Sequence, residues 1–314
     1  MGDRHPWEEG TKVTMRIGII TVQKPGYHPN RRLLEAARKA GHQGILVHPY
    51  HLWPISAAGR LEVTGAHSAP IPHVVLPRQG AQIGDACLAL IHQFQLMGVP
   101  LVNDLQAVSI ARNKFLTQQV LTAAGLPCPD TVFVNDESGF FLALDQLGGY
   151  PVVAKQVSGR QGDGVLRIMD VNDAHQRALP GLDRRRGLLV QRYIAPDNRR
   201  DIRALVIDGE LICAASLVPA KSEFRANFHL GGDIKATPLS AELEQTAVSA
   251  AAVVGCDVAG VDMIVDPDDR PFIVEVNYAP GFKGLEAATG LDIAGRIVRL
   301  AIDRYRQKRE SMDV

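Results

Sequence analysis

Short apolar runs alternate with helical periodicity over the first third of the chain, and this alternation leaves few folds open. The run RIGIITV begins directly after Met15, Pro29 and Asn30 stand where a helix should start, and RRLLEAARKAG keeps helical spacing as far as Gly41. GILVH follows as the next strand, and HVVLPR (73–78), a helical stretch ending near Met97 and the run PLVND (100–104) extend the series. A strand–helix–strand series predicts a parallel sheet covered by helices. It carries no GxGxxG, so a dinucleotide-binding domain is not indicated.

From Ser109 the pattern changes. A helix is expected around ARNKFLTQQVLTAAG, then a break at GLPCP (125–129), the strand TVFV, the helix ESGFFLALDQLG, the strand PVVAKQV, the loop SGRQGDG and the strand VLRIM. Strands dominate through RGLLVQRYI, DIRALVI and ELICAAS, where Asp208-Gly209 is a two-residue hairpin signal. The helix SAELEQTAVSAAAVVG leads to the strands AGVDMIV and PFIVEVN, joined by the turn Asp266-Pro267-Asp268-Asp269. The helix LDIAGRIVRLAIDRYRQ comes last, with a frayed tail expected after Gln307. This part reads as α+β and antiparallel.

Composition narrows the class. The 314 residues allow two or three modest domains, and 46% apolar with 22% charged residues rules out wholesale disorder. Lys plus Arg (34) balance Asp plus Glu (34), which argues against bulk nucleic acid or an anionic membrane as the main partner. Cys87, Cys128, Cys213 and Cys256 lie far apart with no CxxC, as reduced thiols of a cytoplasmic protein would. No apolar run approaches the roughly 18–20 residues that span a bilayer, and MGDRHPWEEGTKVT lacks the apolar centre of a signal peptide. Residues 1–14 read as an extension.

The strongest chemical signal is Asp262 with Glu275-Val276-Asn277 on two strands joined by a tight turn. Residues two apart share a face, so Glu275 and Asn277 project together and Asp262 can lie beside them. Three hard oxygen ligands of this kind suit Mg²⁺, with phosphates and water completing the octahedron. A pair of solvated strand ends is the plainer alternative; the apolar context of VDMIV and FIVEVN favours the metal site. The second signal is Lys155, set mid-strand before Ser158-Gly159-Arg160-Gln161-Gly162-Asp163-Gly164, where a lysine can meet a phosphate while loop N–H groups wrap it. Alone, such a loop is only a hairpin. Lys114 reads as a solvated helix residue, and Arg203 and Arg225 as phosphate or carboxylate partners or surface ion pairs.

These blocks in this order resemble the ATP-grasp superfamily, and within it the RimK-type carboxylate–amine ligases that add glutamate. The likeness covers about residues 15–305. It is carried by VND ahead of Lys114, KQVSGRQGDG from Lys155, QRYI (191–194), DIR (201–203), FRANFHLGGD (224–233), AGVDMI (259–264) and EVNYAPGFKGLEAATGLDIAG (275–295). The resemblance implies an ATP-grasp fold behind a parallel-sheet α/β domain: 15–103 the preceding domain, 104–305 the ATP-grasp domain, with 114–190 as lid and 191–305 as catalytic subdomain, and 306–314 a tail.

It also implies roles. Lys114 and Lys155 would hold ATP phosphates under the loop of Gly159, Gln161, Gly162 and Gly164. Gln191, Arg192, Tyr193 and Ile194 would form the adenine hinge, with Asp201 a nucleotide contact. Arg225, with Ala226 and Asn227, would meet the triphosphate and acyl phosphate. Asp262, Glu275 and Asn277 would bind two Mg²⁺, with Mn²⁺ able to substitute. Arg203 would serve catalysis and, with Arg78, hold substrate carboxylates.

The implied activity is an ADP-forming ligation through an acyl phosphate, joining glutamate to a small molecule or protein C-terminus in a homo-oligomeric enzyme. A glutathione-synthetase-like ligase, a kinase or a silent nucleotide-binding module are the alternatives. Arg192 replaces the hinge's usual acid, Asp163 puts a negative charge in the phosphate loop, and Leu230 stands where relatives often carry arginine.

Overall fold

The computed structural model describes residues 14–65, 71–80, 83–157, 164–218 and 233–312. The expected alternation opens the chain: β1 (Arg16–Ile20), α1 (His28–Lys39), β2 (Gln43–Val47), β3 (Leu52–Ala57), β4 (Arg60–Gly65), β5 (Val74–Pro77) and α2 (Asp85–Leu96). β1 lies between β2 and β5 and is parallel to both. PLVND contributes only one parallel bridge, Leu101 to Val75, rather than the strand expected there. The antiparallel hairpin of β3 and β4 is not apparent from the sequence, because Pro54 interrupts its first strand and most of its side chains stay in solvent.

Next come α3 (Leu105–Ala111) and α4 (Lys114–Ala123). Asn113 caps α4, its Oδ1 accepting from the N–H groups of Phe115 and Leu116, so the helix expected around 111–125 begins at Lys114. β6 (Thr131–Val134), α5 (Glu137–Leu147), β7 (Val152–Gln156), β8 (Val165–Ile168), the single turn α6 (Val171–Asp173) and β9 (Leu188–Arg192) follow. Their strands form an antiparallel sheet in the order β6-β9-β7-β8.

The last part contains β10 (Arg200–Ile207), β11 (Glu210–Val218), β12 (Asp233–Ala236), α7 (Ala241–Val254), β13 (Val258–Val265), β14 (Pro271–Asn277), α8 (Lys283–Thr289) and α9 (Ile293–Glu310). Its sheet is antiparallel in the order β12-β11-β10-β13-β14. Asp208 and Gly209 take positive φ in the β10–β11 turn, as the two-residue hairpin signal requires. α9 runs to Glu310, three residues past the point where a tail was expected. No helix among the described residues is long and apolar enough to cross a membrane.

Packing divides the chain differently from its order. Ile17 and Ile19 of β1 share a core with Leu205 and Ile207 of β10 and with Ile297 and Ala301 of α9. Ile20 and Val75 share another with Ala204 and Val206 of β10 and with Leu243 and Ala247 of α7. Residues 131–192 keep a separate core, in which Phe140 and Leu144 of α5 pack with Val134, Val152, Ile168 and Val190 of the strands. α4, inside the 114–190 range expected to form a lid, packs against α3, α7 and β14 instead.

Asn103 fastens the first part to the last. Fully buried, it donates through Nδ2 to the carbonyls of Val258 and Tyr278 and accepts through Oδ1 from the Val258 N–H, each at 2.8 Å. A buried backbone group left unpaired costs its full desolvation penalty. Asn103→Ala is therefore expected to lower stability by about 2–4 kcal/mol. Urea unfolding followed by circular dichroism checks this, and an unchanged midpoint would contradict it.

Candidate active site

The register of β10, β13 and β14 sets Arg203 opposite Asp262, and Asp262 opposite Glu275. Directly opposed residues share a face, so three charged side chains stand in one line across three strands. Asn277, two residues beyond Glu275, joins them as the period of two predicts, its Nδ2 donating to Asp262 Oδ2 at 3.3 Å. Arg203 grips Asp262 through Nε and Nη2, both at 2.7 Å. The charge of Asp262 holds the Arg203 pKa above its ordinary value despite burial.

Lys114 extends the line from outside the sheet. The Asn113 cap makes it the first residue of α4, its N–H donates to the Val157 carbonyl at the end of β7, and its Nζ meets Glu275 Oε1 at 2.5 Å. Burial pushes the Glu275 carboxyl up, but Lys114, with help from Lys155 and Arg203, holds it below the usual range. Lys114 is thus not the solvated helix residue that its isolated sequence context would suggest.

Lys155 sits on β7 among apolar neighbours and is 8% exposed. Its Nζ donates to Gln191 Oε1 at 2.5 Å, and Gln191 Nε2 donates in turn to Thr131 Oγ1 at 2.7 Å. Burial, reinforced by the charge of Lys114, lowers its pKa to about 8, with Glu275 opposing the fall. Arg199 closes the cluster, donating to Asp201 Oδ2 at 2.9 Å and to the Ile194 carbonyl at 2.6 Å. Burial raises the Asp201 carboxyl pKa, Arg199 opposes this, and Asp262 adds to it.

The structure therefore brings Lys114, Lys155, Gln191, Asp201, Arg203, Asp262, Glu275 and Asn277 together. Arg192 turns outward at the end of β9 and pairs with Asp130 at 2.9 Å. Tyr193 lies beneath Arg167, whose Nη1 donates to its hydroxyl at 3.2 Å. Gly164 has φ +72° and a Cβ there would sit 2.7 Å from Gln156 Cγ, so that position needs glycine on both counts. Gly159, Gln161, Gly162, Asp163, Arg225, Ala226, Asn227 and Leu230 lie outside the described residues. Arg78 stands apart, donating through Nη2 to the Pro280 carbonyl at 2.5 Å.

Arg199 and Thr131 escape sequence reasoning. Arg199 belongs to the run Asn198-Arg199-Arg200-Asp201, which reads as a solvated charge cluster; nothing local marks one arginine as buried. Thr131 opens a strand and carries no signal beyond that.

The donor set also tests the implied metal. Among the described residues no three His, Cys, Asp or Glu side chains gather as a metal site. Two carboxylates and an amide do gather on one strand pair, at Asp262, Glu275 and Asn277. This hard but incomplete set fits Mg²⁺, which keeps waters and takes phosphate oxygens for the rest of its shell. The two lysines nearby fit those phosphates.

Known proteins resemble the chain along most of its length. A model of the RimK PreATP-grasp domain matches residues 15–108, and a model of the RimK-like ATP-grasp domain matches 111–301. A protein of Shewanella amazonensis named probable alpha-L-glutamate ligase 1 is 34% identical over 287 residues, 90% of this chain and 94% of that protein. A solved RimK domain ATP-grasp protein of Sphaerobacter thermophilus superposes with TM-score 0.70 at 24% identity, covering 91% of this chain and 99% of that one. The ATP-grasp ligase PsnB, solved with a phosphomimetic variant of its minimal precursor, Mg and ADP, gives TM-score 0.69 at 20% identity over 92% of this chain and 98% of PsnB. These two likenesses concern the fold. With both halves of the chain matched by family models and one-third identity to a relative along nine-tenths of its length, the chain belongs to the RimK-like ATP-grasp family and is an ATP-dependent ligase.

Proposed function

We propose that the enzyme joins a carboxylate to the amine of an amino acid, glutamate first, through an acyl phosphate. The observation that carries this reading is the line Arg203, Asp262, Glu275 and Lys114 beside buried Lys155. A carboxylate oxygen attacks the γ-phosphorus and ADP leaves; the amine then attacks the acyl carbon and phosphate leaves. Such chemistry needs alignment, charge neutralisation and exclusion of water rather than a protein nucleophile. The name of the Shewanella relative and the precursor-bound PsnB structure support an amino-acid or peptide substrate.

Lys114 and Lys155 hold the phosphates in this reading, and Lys155 exchanges Gln191 for a phosphate oxygen. Two Mg²⁺, for which Mn²⁺ can substitute, would offset the charge of the transferring phosphoryl group, held by Asp262, Glu275 and Asn277. The hinge 191–194 reads adenine through its backbone, since the Arg192 side chain is turned toward Asp130. Asp201 contacts the nucleotide, and Arg225 with Ala226 and Asn227 meets the phosphoryl group. Residues 15–103 form the preceding domain and 104–305 the ATP-grasp domain, with 131–190, which has its own core, as the lid that closes. A cytoplasmic homo-oligomer acting on a small molecule or protein C-terminus completes the proposal.

Release of ADP that requires both an acid and an amine is the first test. Asp262→Asn and Glu275→Gln should each lower kcat at least about a hundredfold while circular dichroism stays native. Near-normal turnover of both at saturating Mg²⁺ would remove the metal assignment.

Arg192→Glu loses an exposed ion pair and sets two acids side by side, so a stability change within about 1 kcal/mol is expected. The ratio of ATP to GTP affinity should not move. A reversed base preference would show that this side chain reads the base.

The Lys155 pKa gives a sign to the pH dependence. The amine is charged below about pH 8 and neutral above it. ADP affinity should therefore fall from pH 7 to 9.5, with proton uptake on binding at the upper end seen by calorimetry in two buffers. Because the unfolded amine titrates near the ordinary lysine value of 10.5, the empty enzyme should gain stability across pH 8 to 10.5, and the penalty is fully present below 8. A pH-independent ADP affinity would contradict the role of Lys155.

A further inference from the structure

The sheet of β6, β9, β7 and β8 carries a transverse line of its own. Register sets Thr131 on β6 directly opposite Gln191 on β9, and Lys155 on β7 opposite Leu189, two residues back from Gln191. Opposed residues share a face, and a long side chain reaches its diagonal neighbour. Thr131, Gln191 and Lys155 therefore meet across three strands. Lys155 Nζ donates to Gln191 Oε1 at 2.5 Å, and Gln191 Nε2 donates to Thr131 Oγ1 at 2.7 Å.

The two ends of an amide have nearly the same shape, so packing does not decide which end of Gln191 faces Lys155. Hydrogen bonding does. The Thr131 hydroxyl has one proton, and it goes to the Pro129 carbonyl at 2.8 Å. What remains for Gln191 is an acceptor oxygen, which takes the amino end of the amide and turns the carbonyl end to Lys155. A reversed amide would set donors against an ammonium. Pro129 keeps the direction fixed, because a carbonyl only accepts, and Gln118 Nε2 also donates to it at 3.1 Å. Gln118 lies on α4 one turn beyond Lys114, so the helix that aims one lysine also anchors the end of the other's hydrogen-bond chain.

Lys155 and Gln191 are both buried, and a buried ammonium needs an acceptor. The charged groups around it are Lys114 on α4, Glu275 on β14 and Arg199 ahead of β10. Lys114 and Arg199 oppose its charge, and Glu275 favours it. Among the described residues the acceptor of its proton is Gln191 Oε1. Any phosphate that Lys155 is to hold must therefore compete with that amide oxygen.

We propose that Thr131 is a positioning residue that limits nucleotide affinity: by taking the amino end of Gln191 it keeps the amide oxygen on Lys155 as an internal rival of the phosphate. The proposal rests on the reading of Lys155 as a phosphate ligand and names the group that sets how firmly that lysine is held back. Thr131 touches no reacting atom. A ligase must let ADP go in every cycle, and binding that is equally tight at every stage lowers KM without raising kcat. A built-in competitor for one phosphate-holding lysine keeps such binding in check.

The consequence runs against intuition, since removing a hydroxyl beside the site should strengthen binding. It should do so only where the amine of the empty enzyme is charged, which is below about pH 8. Calorimetric titration with ADP and Mg²⁺ tests this at pH 6.5, 8 and 9.5, on wild type, Thr131→Val and Thr131→Ser. Losing one hydrogen bond to a charged group is worth about a factor of ten. Thr131→Val should thus bind ADP about fivefold to tenfold tighter than wild type at pH 6.5, about twofold tighter at pH 8, and equally at pH 9.5, where the amine is neutral in both. Thr131→Ser keeps the hydroxyl and should match wild type throughout. Taking the ratio to wild type at each pH cancels the titrations that the two proteins share.

In a Gln191→Leu background Thr131→Val should change nothing further, because the rival is already gone. Circular dichroism checks folding, and Thr131→Ala carries the same test if Thr131→Val does not fold. Weaker or unchanged ADP binding at pH 6.5, a ratio to wild type that is the same at all three pH values, or a Thr131→Ser enzyme that behaves like Thr131→Val overturns the proposal. The reading of Lys155 fails separately, if Lys155→Met keeps the ADP affinity and pH profile of wild type. Should Lys155→Met weaken and flatten that profile while Thr131→Val follows wild type, the role of Thr131 alone is wrong.

Discussion

The antiparallel register of three strands underlies the whole site. Once Asp262 faces Glu275 on one side and Arg203 on the other, two acids and one base must share a single face of the sheet. Two neighbouring carboxylates repel, and a cation beside each relieves the repulsion. Arg203 provides one from within the sheet and Lys114 provides the other from the first turn of α4. The Asn113 cap therefore has a consequence beyond the helix it starts, because shifting that start by one residue would turn Lys114 away from Glu275.

Lys155 faces a different situation. It is buried against an amide rather than an acid, so its proton is weakly held, while Lys114 close by makes it weaker still. A site that presents one firmly paired lysine and one loosely protonated lysine has charge in reserve for an anion. Arg199 works in the opposite sense, tying Asp201 and the Ile194 carbonyl together so that the chain leaving β9 is fixed to the start of β10.

Legibility in the sequence followed periodicity. Asp262, Glu275 and Asn277 could be placed together because a strand has a strict period of two and their turn was recognisable. The strand–helix alternation predicted the parallel sheet for the same kind of reason. Lys114 was legible only through family resemblance, since the break at Asn113 that aims it depends on a cap rather than on a pattern. Arg199 was not legible at all; burial of one arginine in a polar run is decided by packing far along the chain. The β3–β4 hairpin was hidden because Pro54 stands within its first strand and only a few of its side chains, Leu52 and Val63 among them, reach the core.

The shared core of β1, β10 and α9 bears on how the protein is made. Ile17 and Ile19 leave the ribosome long before Ile297 and Ala301, which help cover them. At about 5–20 residues per second the gap lasts on the order of tens of seconds. During that time that face of the first parallel sheet is covered only by α1, through Leu33, Ala36 and Ala37, whereas residues 131–192 can close their own core as soon as they are out. The middle of the chain is thus able to fold before its beginning, and the nascent N-terminal sheet is the part with most to gain from a chaperone.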